Sequence, residues 1–286
     1  MIVAFLSGRQ WPGAEKDKLE ALMNRIGFLA VAACALLAGG GAQAGYSWSY
    51  STTDCSVPSG GTACSMTGLA AGTPTLTTTA YSNTNGSSTT PDTYKLETAY
   101  LSVYSGGLGV TNRDAGSGPG QDLNEGIDPE HSIDNNQRYD SVLLNFGAAT
   151  RLTSLTIGWS YNDSDMTVLA YTGTGNPTSN LANLSYSQLT ANGWTLVGSY
   201  SNVALNTLQG INAANIVSQY WMIGAFNPLV DTASTLTTGD DYVKLLSVAG
   251  DTTTIGKQVP EPASVLLTGA ALAVLAWSRR LMSARH

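Results

Sequence analysis

What most constrains this chain is a rhythm that runs from residue 95 to residue 248. Short runs rich in β-branched, aliphatic and aromatic residues alternate with clusters of Gly, Asn and Asp. The runs are 95–104, 139–146, 154–161, 166–171, 194–200, 220–225 and 241–248. Segments this short, bounded by turn formers, suit strands better than packed helices. Around 152–159, Leu155, Ile157 and Trp159 alternate with Ser154, Thr156 and Gly158, so one face is apolar and the other polar. Asn192-Gly193 ahead of Trp194 is a turn signal. The pattern predicts an all-β fold, an antiparallel β-sandwich of jelly-roll-like kind. Only 180–189 suggests a short helix, and 213–218 a further turn. Residues 52–92 are almost a Thr/Ser/Gly low-complexity tract, read as part strand and part surface loop.

Both ends differ from this body. Met23-Asn24-Arg25 opens a short basic region, 26–37 is apolar, and Ala42-Gln43-Ala44 forms an A-x-A site, so 23–44 reads as a signal peptide cut between Ala44 and Gly45. Residues 1–22, with five charges between Glu15 and Glu20, read as a mis-called start region. A lipoprotein-type cleavage at Cys34 is the rival reading. At the other end, 257–286 holds Val259-Pro260-Glu261-Pro262, the uncharged run 263–277, then Arg279, Arg280 and Arg285. As a helix the 15-residue run spans about 22 Å, short of a ~30 Å hydrocarbon core. The trailing arginines orient it with the C-terminus inside and the body outside.

This tripartite end resembles the PEP-CTERM sorting signal of Gram-negative exosortase substrates. The resemblance implies a C-terminal transmembrane sorting helix, cleavage near Pro260-Glu261-Pro262 by an exosortase, and a membrane-anchored intermediate whose tail is discarded or exchanged. A second likeness covers roughly 95–280. The block GLGVTN, PEHSIDNNQRYDSVLLNF and LTSLTIGWSYNDSDMTVLAYTG, with later echoes in WTLVGSYSNV, SQYWMIGAFN and DDYVKLLSVAGD, resembles a subgroup of exosortase-dependent surface proteins. It implies location and class, and no activity.

Without its ends the body, 45–256 with its Thr/Ser/Gly-rich part at 45–94, carries 16 acids and five bases, net −11, against −7 for the whole chain. Phosphate neutralisation needs Lys and Arg, so a nucleic-acid partner is excluded. Cys55 and Cys64 close a Gly/Pro loop in an exported chain and are expected to form a disulfide.

The densest polar chemistry lies between Gly107 and Asp165. Asp122, Glu125, Asp128, Glu130, His131, Asp134, Asn135, Asn136 and Asp140 crowd 19 residues. Hard oxygen ligands in a loop suit Ca²⁺. The expected ligands are Asp134, Asn135 and Asp140, with Asp163 and Asp165 as second-loop partners; a solvated acidic loop with Asx-turns is the alternative. No other cofactor is expected. His131 is the one body histidine, and no nucleophile elbow, zinc motif or phosphate loop accompanies it. A glycosidase would need two carboxylates across a cleft, and nothing selects a pair. Trp48, Trp159, Trp194 and Trp221 would serve either as core or as sugar platforms.

The expectation is therefore a non-catalytic surface or extracellular-matrix protein, associated with exopolysaccharide or biofilm. Its export partners are signal peptidase, exosortase and, before processing, the membrane. A carbohydrate-binding module is the second reading and a hydrolase the third.

Overall fold

The computed structural model describes residues 45–68, 73–86, 93–118 and 121–252. The expected start region, the signal peptide with Cys34, Ala42 and Ala44, and the sorting tail with Val259, Pro260, Glu261, Pro262, Arg279 and Arg280 lie outside them. Among the described residues no helix is long and apolar enough to cross a membrane.

The thirteen strands are β1 (Tyr46–Ser49), β2 (Ala63–Thr67), β3 (Thr75–Asn85), β4 (Lys95–Thr98), β5 (Tyr100–Tyr104), β6 (Gly107–Thr111), β7 (Ile133–Asp134), β8 (Asp140–Asn162), β9 (Met166–Tyr171), β10 (Trp194–Tyr200), β11 (Gln209–Gly210), β12 (Ser218–Ala225) and β13 (Asp241–Thr252). They form one hydrogen-bonded sheet whose main path is β10-β9-β12-β8-β13-β6-β5. Every ladder between these strands is antiparallel.

The pattern predicted separate strands at 139–146 and 154–161; the structure joins them into β8, 23 residues long. Its first part pairs with β3 and β12 through Asn145, and from Thr150 onward it runs along β13. Gly147 sits at the changeover with φ +65°, a conformation glycine enters without the Cβ penalty. Ala148 and Ala149 beside it are small and exposed. The strand thus changes neighbours through one left-handed step at Gly147 and then continues.

The runs VLLNF, MTVLAY and YWMIGA, apolar except for Asn145 and Thr167, do not alternate because both of their faces are covered. Val142, Leu144, Phe146, Val168, Ala170, Trp221 and Ile223 face the main core, around Trp48, Leu76, Leu155 and Leu245. Leu143, Leu169, Tyr220 and Met222 face a second cluster with Leu181, Leu184, Tyr186, Leu189 and Trp194. That second face is capped by helix α1 (Thr178–Leu181) and by 3-10 turns at Tyr186–Gln188 and Thr190–Asn192. The expected helix at 180–189 is broken because polar side chains compete with its ladder: Asn183 Nδ2 donates to Asn180 Oδ1 at 3.1 Å, and Gln188 Oε1 takes the Ser185 N–H at 3.0 Å.

The Thr/Ser/Gly tract contributes an 11-residue strand, β3. Threonine fits a pleated surface well, and Leu76, Thr78, Ala80 and Ser82 are fully buried. Cys55 and Cys64 are disulfide-bonded, nine positions apart, with both residues buried in the main core. Closing so short a loop stabilises by about 3 kcal/mol on the chain-entropy account.

Candidate metal centre

Two connections build the site: a long one, 112–132 between β6 and β7, and a short one, 135–139 between β7 and β8. Asn124 and Gly126 flank Glu125 with φ of +65° and +86°, and Gln137 has φ +60°. These left-handed residues fold the loop back on itself. Buried Asn112, just past β6, organises it. Its Nδ2 donates to Asp122 Oδ2 at 2.6 Å and to Glu125 Oε2 at 3.1 Å. Its backbone N–H donates to Glu125 Oε1 at 2.5 Å, and its Oδ1 accepts from the Asp114 N–H at 3.0 Å.

Asp122, Glu125 and Glu130 each bring a carboxylate oxygen within 4.8 Å of the others. Asp134 from β7 and Asp140 from the start of β8 act on the same group electrostatically. Asp122, Asp134 and Asp140 are at most 2% exposed and Glu130 is 4% exposed. Burial pushes Asp122 up to about 6, partly offset by Asn112. Burial first, then the Asp140 and Asp122 charges, push Glu125 up to about 10. Burial raises Glu130 as well. Asp134 and Asp140 stand well above the carboxylate range, from burial and then neighbouring acids. The Ser82 hydroxyl opposes this at Asp140, although its hydrogen bond goes to the Tyr139 carbonyl at 3.3 Å. The charge of buried Arg138 acts on Asp122 and Asp140 in the opposite sense; Arg138 is ion-paired to Asp114 and lies 5.3 Å from the Tyr94 ring centre.

A second acidic group joins Asp163, Asp165 and Asp241, whose oxygens also approach within 4.8 Å. Here hydrogen bonds do more of the work. Asp241 Oδ1 accepts the Asp165 N–H at 2.6 Å, and Asp241 Oδ2 accepts Asn135 Nδ2 at 2.6 Å. Asn135 Oδ1 takes the N–H of Gly239 at 2.9 Å and of Asp241 at 3.1 Å. Asp165 Oδ1 accepts the Asn202 N–H at 2.7 Å, and Asp163 Oδ1 the Ser164 N–H at 2.7 Å.

The expected calcium ligands thus divide between two places. Asp134 and Asp140 act with Asp122, Glu125 and Glu130, whereas Asn135 is tied to the group of Asp163, Asp165 and Asp241. Sequence reasoning gave no place to Asn112 or Asp241. The signal for Asp241 was its position opening the last strand, a common place for a strand-end cap. Asn112 stood next to the predicted acidic block but carried no charge to draw notice.

Burial raises Asp241 to about 7, and the Asp165 and Asp163 charges add to this. The folded pKa exceeds the unfolded value of ~3.9, so the folded state binds the proton more tightly. Its contribution is complete below the unfolded pKa and is lost as pH rises through about 7. In chelator, the thermal midpoint should therefore fall as pH is raised from about 5 to 8. Asp241→Asn should lower the midpoint in acid, through one lost hydrogen bond, and should flatten this fall. An equally steep fall in the variant would remove Asp241 as its source.

Trp48, Trp194 and Trp221 are buried at 3% exposure or less, so they are core and not sugar platforms. Trp159 is half-buried, with Lys244 Nζ 4.0 Å from its ring centre. The same ammonium sits 4.4 Å from the Tyr104 ring, against which His131 also packs at 4.5 Å between centroids. Burial, then Lys244, lowers the His131 pKa. Tyr100, Ser102 and Tyr104 of β5 line a groove of about 590 Å³ together with Thr52, Ser56 and Thr111.

Comparison with known families places the tail. Residues 258–280 match the PEP-CTERM protein-sorting motif. That motif marks the chain as an exported protein that is processed by an exosortase and passes through a membrane-anchored intermediate or to the cell surface. No curated protein matches the chain.

Proposed function

We propose that the body is a non-catalytic component of the cell surface or extracellular matrix, associated with exopolysaccharide or biofilm, and delivered there when an exosortase removes its tail. The observation that carries this reading is the sorting motif at 258–280, downstream of an acidic all-β body. The change of neighbours at Gly147 supports a jelly-roll-like β-sandwich, in which a strand turns the corner between two faces of one core.

Cell fractionation tests the proposal. The body should reach the surface fraction as a shortened species. Replacing Arg279 and Arg280 by Ser, or deleting the exosortase, should leave an uncleaved precursor in the inner membrane. A processed body found soluble in the periplasm, with or without the exosortase, would overturn it.

The groove beside β5 favours carbohydrate binding as a second reading. Tyr100 is 39% exposed and Arg113 lies 5.1 Å from its ring centre, while Ser102, Thr52 and Thr111 supply hydroxyls. A partly exposed aromatic ring among hydroxyls, with a guanidinium beside it, offers groups that sugars use. Retention of the purified protein on exopolysaccharide, lost in Tyr100→Ala, separates this reading from a purely structural role.

A further inference from the structure

We propose that Asp122, Glu125, Glu130, Asp134 and Asp140 form a Ca²⁺ site that fastens the loop 112–139 to the sheet. The inference goes beyond the surface-component reading and does not depend on it.

The argument starts from unsatisfied atoms. Asp122 Oδ1, Glu130 Oε2, Asp134 Oδ2 and both Asp140 oxygens are buried without a hydrogen-bond partner. A buried carboxylate oxygen left unpaired costs more than almost any other polar group. Here such atoms come from four residues that are each at most 4% exposed, and whose charges act on one another. Their remaining oxygens are already held in place. Asp122 Oδ2 is held by Asn112, Asp134 Oδ1 by the Asn136 N–H at 3.1 Å, and Glu130 Oε1 by Asn136 Nδ2 at 2.8 Å and Tyr242 Oη at 3.4 Å. Asp122, Glu130 and Asp134 are therefore each oriented through one oxygen while the other is left open, and at Asp140 both are open. Second-shell donors of this kind are how proteins aim carboxylates at a metal.

The chemistry selects the ion. Every donor is a hard oxygen, and an all-oxygen set suits Ca²⁺ or Mg²⁺ rather than zinc or copper. Ca²⁺ takes six to eight oxygens at about 2.3–2.6 Å. Ligands on opposite sides of it then lie about 5 Å apart, which accommodates the 4.8 Å spread of Asp122, Glu125 and Glu130. Donors drawn from a loop, β7 and β8 make an irregular cage, which Ca²⁺ tolerates and octahedral Mg²⁺ does not. The second acidic group is a poorer holder, since no carboxylate oxygen of Asp163, Asp165 or Asp241 is left buried without a hydrogen-bond partner.

The test uses the full chain in detergent, stripped with EGTA and desalted. Calorimetric titration with CaCl₂ should show binding. At Ca²⁺ about a hundredfold above Kd the thermal midpoint should rise by roughly 5–10 °C, with a smaller rise from MgCl₂. Tb³⁺ should bind with luminescence sensitised by Tyr242, whose hydroxyl touches Glu130. Asp134→Asn and Asp140→Asn should each weaken Ca²⁺ binding by at least about tenfold. They should leave the midpoint of the stripped protein unchanged or raised, because they relieve like-charge repulsion. A purely structural role would instead lower it. Absence of calorimetric binding and of any midpoint rise would overturn the proposal. So would a rise that survives Asp134→Asn and Asp140→Asn but disappears in Asp163→Asn/Asp165→Asn, which would assign the ion to the other group.

Discussion

Replacing Arg138 by methionine is expected to lower the unfolding free energy by about 3–5 kcal/mol. The guanidinium is 2% exposed and lies in the short connection between β7 and β8. Its Nε donates to Asp114 Oδ2 at 2.8 Å, its second nitrogen closes the ion pair with Asp114, and its third donates to the Gln137 carbonyl at 2.9 Å. Its charge also pulls the raised pKa of Asp122 and Asp140 down. Methionine fills much of the volume but leaves Asp114 without its partner and the acidic group without a counter-charge. Equilibrium urea unfolding of the single variants and of Arg138→Met/Asp114→Asn forms a double-mutant cycle. Most of the loss should be recovered in the pair if the stranded charge is what costs. A single-variant loss under about 1 kcal/mol would place Arg138 among ordinary surface ion pairs.

Truncating Trp221 to alanine should cost a comparable ~3–5 kcal/mol. Trp221 is fully buried at the middle of β12, registered against Leu144 of β8 and Ala170 of β9, and its indole N–H donates to the Ser218 carbonyl at 3.0 Å. Alanine leaves a cavity at the junction of three strands and an unpaired carbonyl. Against a usual total of about 5–15 kcal/mol, such a loss approaches the whole stability, so the variant should be poorly soluble at 37 °C. Trp221→Phe keeps most of the volume and should cost less. Urea midpoints for the two variants decide the matter; equal and small losses would mean the core at this point repacks freely.

The strands were legible because their signal is local. β9 and β10 fall where the runs 166–171 and 194–200 placed them. The failures came where local signals conflicted with long-range pairing. Gly147-Ala148-Ala149 reads as a break, yet with β3 and β12 pairing ahead of it and β13 after it the segment stays part of β8. The Thr/Ser tract reads as part strand and part loop, and β3 forms in it because β8, β2 and β4 satisfy its backbone. The site shows the same division. The crowding of acids between Asp122 and Asp140 was plain from the sequence. Which of them converge was not, because Asn112 and the positive-φ residues Asn124, Gly126 and Gln137 decide it by folding the loop back. Neutral Asn135 and strand-end Asp241 belong to a neighbouring knot that spacing along the chain could not reveal.

The place of β13 bears on how this protein can leave the cell. β13 is the last described strand, yet β1 pairs with it from Tyr46↔Gly250 to Ser49↔Ser247, and β8 lies along most of its length. Pairings that span some two hundred residues form late and slowly. The sheet therefore stays open along β8 until residue 252 has emerged, and the sorting motif begins only six positions later. The strand that completes the sheet and the sorting motif are therefore neighbouring stretches of the chain. Assembly of the sheet and engagement of the sorting protease thus fall in the same interval, so a variant that slows the docking of β13 would present an unfinished body to the exosortase.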